Sequence, residues 1–317
     1  MQSQWFAPLL LIPLALTQAG CDLGEWGEAG GRETEDFQYA YDLAPGGRLS
    51  LRNFNGPVEI IGWEKNSVQI TGTKYAPNRE ELSTIKIDVV SSGNTLRIQT
   101  IQPSERWGNR GAKYVIRAPF ETNLEEIQTS NGAVRVEDVR GAHVLRTSNG
   151  SVRFYKLTGS LRVRTSNGRV EGDAMQGDVT VETSNGSIAL RSIQGAVEAS
   201  TSNGSIRLEG VEPTAAENYR LSTTNGSIEL TAARLAQNNM DVRTTNGSIT
   251  VRLPENANAR IVAESHRGRV ESEFSFAGPA TVEKNRVDGQ IGAGGAVIRL
   301  ETTNSSIRIQ KSGSAGA

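Results

Sequence analysis

A four-residue unit, Thr-(Ser/Thr)-Asn-Gly, recurs along this chain with its asparagine at Asn131, Asn149, Asn167, Asn185 and Asn203, eighteen residues apart each time. It returns at Asn225 and Asn246, Ser265-His266-Arg267-Gly268 is a degraded copy, and Thr302-Thr303-Asn304-Ser305 closes the series. A second ladder, Gly141, Gly159, Gly177 and Gly195, lies halfway between, so each unit has two corners. A fixed period of this kind means one small structural unit repeated, each copy burying its apolar face against its neighbours.

Between the corners the apolar residues fall into columns. Val134, Val152, Val170, Ile188, Ile206, Ile228 and Ile249 stand three residues after each asparagine, and Val136, Phe154, Leu190, Leu208, Leu230 and Val251 two residues further on. Val139, Leu157, Met175, Ile193 and Val211 precede the mid-repeat corner, and Leu161, Val179 and Val197 begin the return segment. Alternation with period two predicts strands with one buried face. Asn-Gly between alternating strands is also a hairpin signal. A meander built that way would be an open sheet of well over about a dozen strands with one apolar face uncovered, beyond the usual size of twisted sheets. If each eighteen-residue unit is instead one coil, its two strands lie in opposite sheets and identical residues stack. The sequence therefore predicts an all-β, single-domain β-solenoid with Asn-Gly corners, its asparagines in a ladder and its corner glycines at positive φ. At about 4.8 Å per coil, the regular part spans on the order of 45 Å.

The wider spacings, 203 to 225 and 225 to 246, place insertions near Glu212-Pro213-Thr214-Ala215 and Ala232-Ala233-Arg234-Leu235, beside the mid-repeat corner. Leu49, Leu51, Val58 and Ile60 around Asn55-Gly56 echo the repeat, so 37–125 reads as irregular N-terminal coils and 126–310 as the regular ones. Asn78-Arg79-Glu80-Glu81-Leu82 reads as a short inserted helix, and irregular outer coils are expected to cap the rod against end-to-end pairing. Residues 311–317 read as a disordered tail.

The first twenty residues stand apart. An apolar run from Trp5 to Leu16 is followed by Ala19-Gly20-Cys21. The run is shorter than the about 20 residues a membrane-spanning helix needs and fits the apolar core of a secretory signal. Ala19-Gly20-Cys21 resembles a bacterial lipobox, although Gln18 stands where that motif has Leu. The resemblance implies a signal peptide at 1–20 and lipidation of Cys21, the chain's single cysteine. Residues 21–36, acidic and glycine-rich, read as a flexible tether. These features point to the bacterial cell envelope, with the membrane as a partner through the lipid anchor.

The repeated Thr-Ser-Asn-Gly-Ser-(Val/Ile) units, with Asn55-Gly56-Pro57-Val58 as the opening coil, resemble the bacterial adhesin-like family with an uncharacterised β-strand-repeat domain, DUF4097, over roughly Phe37 to Ile309. The resemblance implies a solenoid that binds an envelope or extracellular polymer, and brings no catalytic residues. It also implies an alternative, an envelope structural or stress-signalling accessory protein with a protein partner.

The residues themselves offer little chemistry. There are 2 histidines, 1 cysteine and a net charge of −1. His143 falls in an inward column and reads as a core histidine. No Gly-x-Ser-x-Gly elbow, phosphate loop or metal-ligand spacing is present, so no catalytic or metal residue, cofactor or nucleic-acid partner is expected. Glu182 and Glu198 are the one pair that stacking could bring together for a polysaccharide-cleaving reaction, the third reading. They read more simply as charge partners of Arg162 and Arg164. A basic run carries Arg135, Arg146, Arg153, Arg162 and Arg164, with Arg146 stacked on Arg164 and Arg135 on Arg153. Like charges so placed make a candidate groove for an acidic glycan or other anionic ligand.

Overall fold

The computed structural model describes residues 32–101, 109–211 and 218–313. The expected signal peptide, Cys21, most of the expected tether, the expected insertion at 212–215 and the last four residues lie outside them. The described chain begins on β1 (Glu33–Asp42) and passes through β2 (Gly47–Arg52), β3 (Val58–Trp63) and β4 (Ser67–Ala76). Then comes α1 (Arg79–Thr84), where Asn78 Oδ1 accepts the Glu81 N–H at 2.8 Å and caps the helix as its sequence suggests. A hairpin, β5 (Lys86–Ser92) and β6 (Thr95–Ile101), leads to β7 (Gly111–Pro119) and β8 (Thr122–Thr129).

The regular coils follow as strand pairs: β9 (Val134–Glu137) with β10 (His143–Thr147), β11 (Val152–Thr158) with β12 (Leu161–Arg164), and β13 (Val170–Gln176) with β14 (Val179–Glu182). They continue through β15 (Ile188–Gln194), β16 (Val197–Thr201), β17 (Ile206–Val211), β18 (Tyr219–Thr223), β19 (Ile228–Ala232), β20 (Met240–Thr244) and β21 (Ile249–Pro254). The C-terminal strands are β22 (Ala259–Ser265), β23 (Val270–Ser272), β24 (Ala277–Val282), β25 (Arg286–Ile291), β26 (Ala296–Thr302) and β27 (Ile307–Ser312). Two readings at the ends are corrected. Glu33–Asp36 of the expected tether are strand, held by antiparallel pairing of β1 with β4, and Lys311 and Ser312 of the expected tail extend β27 against β21.

The strands form a 13-stranded and a 14-stranded sheet whose inward faces share one apolar core. The coils stack parallel and in register: Val134, Val152, Val170, Ile188, Ile206, Ile228 and Ile249 are direct neighbours, all buried. Hairpin corners would have made the pairing antiparallel. Antiparallel strands are confined to the ends, where β1 and β4 cover one edge of the first sheet and β5 and β24–β25 cover both edges of the second.

The coils do not stack in chain order. The sheet orders place β2 and β3 between β6–β7 and β8–β9, and place β26 and β27 between β20–β21 and β22–β23. The copy at Thr302-Thr303-Asn304-Ser305 therefore does not end the stack: Asn304 Nδ2 donates to Asn246 Oδ1 at 2.6 Å, and the degraded Ser265 copy lies beyond it, Ser265 Oγ donating to Ser305 O at 2.6 Å.

At each regular corner the threonine points inward. Thr201 Oγ1, for instance, donates to Gly186 O at 3.0 Å on the coil before and accepts the Gly204 N–H of its own coil at 3.3 Å. The asparagines run outside in an amide ladder, Nδ2 to Oδ1 at 2.7 Å, from Asn149 on Asn131 to Asn246 on Asn225. The expected positive φ of the corner glycines is not what they provide. Their φ values lie outside the left-handed region, and glycine is required because a Cβ on Gly186 would sit 1.8 Å from Gly168 O. Left-handed backbone occurs at the other corner, where Gly177 has φ 125 and a column of ordinary residues, Asp138, Lys156, Ala174 and Ser192, has φ between 51 and 55.

One inward column is broken by glycine. Gly172 follows Phe154, and a Cβ there would lie 1.9 Å from Phe154 Cζ, so the ring occupies the space of two coils. Gly172→Val should cost about 1–3 kcal/mol by overpacking. Combined with Phe154→Val, much of that loss should return. Urea denaturation of the two single variants and the double variant measures the coupling, and additive losses would refute the shared space.

Candidate functional site

The outward positions of each sheet form columns as regular as the inward ones. On the first sheet one column reads Glu59, Arg135, Arg153, Glu171, Ala189, Arg207, Glu229, and the next reads Glu137, Tyr155, Asp173, Arg191, Glu209. On the second, Arg146, Arg164 and Glu182 are neighbours, and Arg162 stands between Val144 and Thr180. The five candidate arginines are thus divided, Arg135 and Arg153 facing out from one sheet and Arg146, Arg162 and Arg164 from the other.

Most of these cations meet carboxylates. Arg135 bonds Glu137 and lies 3.6 Å from Glu59, Arg153 reaches Glu171 at 2.8 Å, Arg146 reaches Glu126 at 3.0 Å, and Arg164 reaches Glu182 at 2.9 Å. The Arg153 guanidinium, with Arg169, holds the Glu171 carboxyl below its usual range. Arg162 makes no ion pair among the described residues. The stacked like charges read from the sequence are adjacent, but lateral pairing removes most of their excess field, and exposed pairs of this kind contribute about 0–1 kcal/mol each. Glu182 and Glu198 are offset by two positions, opposite Ser200 and Thr180, with Glu182 on Arg164 and Glu198 3.9 Å from Arg220. They are not brought together as an acid–base pair.

His143 lies in the column of Leu124, Leu161 and Val179 at 1% exposure, and neither ring nitrogen makes a hydrogen bond of normal geometry. Burial pushes its pKa down to about 4, with main-chain groups of Thr158 and Val139 offsetting part of the shift. The imidazole is neutral when folded and gains a proton more readily when unfolded. Stability should accordingly be highest above about pH 6.5 and fall as pH drops towards 4, by roughly 3 kcal/mol in full. His143→Leu should flatten that part of the pH profile of urea midpoints; an unchanged profile would assign it to other groups.

Two shallow depressions lie over the same coils. One, of about 400 Å³, is lined by Arg135, Glu137, Arg153, Tyr155, Asp173 and Arg191 around a floor at Ala189 and Gly172. The other, of about 680 Å³, follows the mid-repeat corner past Phe120, Arg140, Lys156 and Ser192. Tyr155, Asp173 and Ala189 escaped the search for charge runs. Reading the outward positions at the eighteen-residue period would have found them, since Tyr155 interrupts a charged column and Ala189 a column of long side chains. Among the described residues no cluster of His, Cys, Asp or Glu is arranged to hold a metal ion, and no helix is long and apolar enough to cross a membrane.

A family model described as Toastrack DUF4097 matches residues 48–310. No curated protein matches the sequence. Similar solved structures include a "putative adhesin" from Bacteroides fragilis, 14% identical with a TM-score of 0.42 over 88% of this chain and 97% of that one. A "putative lipid binding protein" from Parabacteroides distasonis is 14% identical with a TM-score of 0.45 over 89% and 97%. A "putative adhesin" from the same organism is 9% identical with a TM-score of 0.30 over 88% and 97%.

Proposed function

Since the chain belongs to the Toastrack DUF4097 family, we propose that it is a non-catalytic, adhesin-like protein of the bacterial cell envelope whose solenoid binds an extended envelope or extracellular polymer. The observation that carries this reading is the outer face of the first sheet. There, side chains stack in register coil after coil from Glu59 to Glu229, with three carboxylates and three guanidinium groups in the column, so that charge balances along it rather than accumulating. Such a face offers many evenly spaced weak contacts in a line, and linked weak contacts give avidity to a repeating ligand that they cannot give to a small one. The reading includes a leader at 1–20, a lipid on Cys21 and a spacer that ends where β1 begins at Glu33. Two acyl chains suffice for stable anchoring where one does not.

Three experiments test it. Cys21→Ala should move the protein from the membrane fraction to the soluble fraction. Protease treatment of intact and permeabilised cells, followed with an antibody to the solenoid, separates surface display from periplasmic confinement: digestion on intact cells supports adhesion, and protection until permeabilisation favours the structural or stress-signalling role. Co-sedimentation of the protein with purified envelope polysaccharides and peptidoglycan tests polymer binding directly, and failure of every polymer to retain it would end the reading.

A further inference from the structure

The depression over β11, β13 and β15 stands out from an otherwise uniform face. Among the described residues, Tyr155 is the outward-facing aromatic of the regular coils, at 41% exposure; Phe154 and Tyr219 both point into the core. Its column neighbours are the charged Glu137 and Asp173. In the neighbouring column, two coils on from Tyr155, Ala189 replaces the Arg or Glu found elsewhere and leaves the floor of the depression open. Asp173, between Tyr155 and Arg191 in the stack, makes no ion pair or hydrogen bond among the described residues, although Arg153 is paired with Glu171 and Arg191 with Glu209. Around the rim three guanidinium groups, Arg135, Arg153 and Arg191, face three carboxylates, Glu137, Glu171 and Asp173. Lys156 Nζ lies 5.1 Å from the Tyr155 ring centroid and 3.8 Å from Asp138, which keeps that cation beside the ring.

From this arrangement we propose that the depression is a subsite for one neutral pyranose unit of an extended polysaccharide. The balanced rim offers no net field to an anionic or cationic ligand, whereas its planar groups supply fixed donors and acceptors suited to hydroxyls. The open acceptor is the Asp173 carboxylate, and the apolar contact is the Tyr155 ring, whose flat body and polar tip suit a ligand with C–H faces and O–H edges. A shallow, open site of this kind binds one sugar weakly, and a chain running along the face adds contacts from neighbouring coils. The inference rests on the polymer-binding reading and names the polymer's chemistry and the residues that grip it.

The test is titration of the detergent-solubilised full chain with neutral hexasaccharides of glucose, mannose and N-acetylglucosamine, and with oligogalacturonate as the acidic comparison, followed by calorimetry and ligand-observed NMR. At least one neutral hexasaccharide should bind. Tyr155→Ala and Asp173→Ala should each weaken it at least tenfold, and Tyr155→Phe should retain most of it. Ala189→Arg should abolish it, because it refills the floor with a side chain its column carries elsewhere and is therefore compatible with folding. Ser222→Arg, a similar change on the other sheet, should have no effect. Oligogalacturonate binding that exceeds every neutral sugar and is lost in Ala189→Arg would overturn the neutral class. Envelope-polymer retention that survives Ala189→Arg and Tyr155→Ala would overturn the subsite while leaving the polymer reading standing. A wild-type chain that retains no polymer would remove both.

Discussion

Deleting residues 296–317 is expected to unfold far more than the strands it removes, whereas deleting the eighteen residues 186–203 is expected to leave a shorter, folded rod. The contrast follows from the stacking order. β26 and β27 are the layer on which β22 and β23 sit, and β23 pairs with β27 alone. Their removal takes Ile298, Leu300, Ile307 and Ile309 out of the core. At about 1.5–3 kcal/mol per fully buried large aliphatic side chain, these four contribute roughly 6–12 kcal/mol, an upper figure that is still comparable with the whole stability of an ordinary domain. Beyond them, Ile261, Val287 and Ile291 lose the surface that covers them. The internal deletion instead joins Asn185 to Gly204, which lies one full period after the Gly186 it replaces, so every column closes over the gap and stability should fall only by one unit's share. Limited proteolysis with mass-spectrometric mapping should find new cleavage throughout 255–295 in the first variant and none in the second. A C-terminally truncated protein as protease-resistant as the full chain would mean that β22 and β23 can dock directly on β20 and β21.

Gly186→Ala is expected to be among the most damaging single-methyl additions in the chain. A Cβ at this position meets Gly168 O at 1.8 Å and Gly168 C at 2.5 Å, both backbone. No rotamer change relieves such a clash, so the coils themselves must separate. Separation would strain the bonds that cross the same gap: Thr183 Oγ1 to Gly168 O, the ladder bond of Asn185 to Asn167, and the Asn185 N–H bond to Ser166 O. Losing two or three such bonds at about 1 kcal/mol each, on top of about 1–3 kcal/mol of overpacking, gives a total near 3–5 kcal/mol. Gly46→Ala is the comparison: at φ 76 with nothing within 4 Å of its Cβ, it carries only conformational strain, about 1 kcal/mol. Chemical denaturation of both variants measures the difference. Equal losses would show that backbone conformation, rather than close approach between coils, is what the corner glycine serves.

Much of the core was legible because the repeat is strict. Val152, Val170 and Ile188 could be placed in one column from spacing alone, and the helix at Arg79–Thr84 from Asn78 and Glu81. The reasons behind some of those residues were not legible. Asn-Gly is equally compatible with a hairpin of positive φ and with a close-packed corner, and only the neighbouring coil's carbonyl distinguishes them. From spacing, Phe154 is one more apolar member of its column, and only the packed ring shows that it also fills the space at Gly172. The candidate binding residues fared least well. Arginine spacing revealed which cations are stacked but not that Glu59, Glu126, Glu171 and Glu182 stand beside them, because those partners come from separate coils or from outside the basic run.

The sequence by itself determined the repeating unit: two strands per eighteen residues, which side of each is buried, and the threonine, asparagine and glycine that turn the corner. These follow from alternation and period, which are local properties of the chain. Only the tertiary structure decided the order of the outer coils, with Asn304 on Asn246 ahead of Ser265, and the division of the basic run between two faces. The physical reason is that coils with the same apolar columns are nearly equivalent as stacking partners. What selects among them is the length of the connections and the packing of the antiparallel end strands, and neither is written into the repeat.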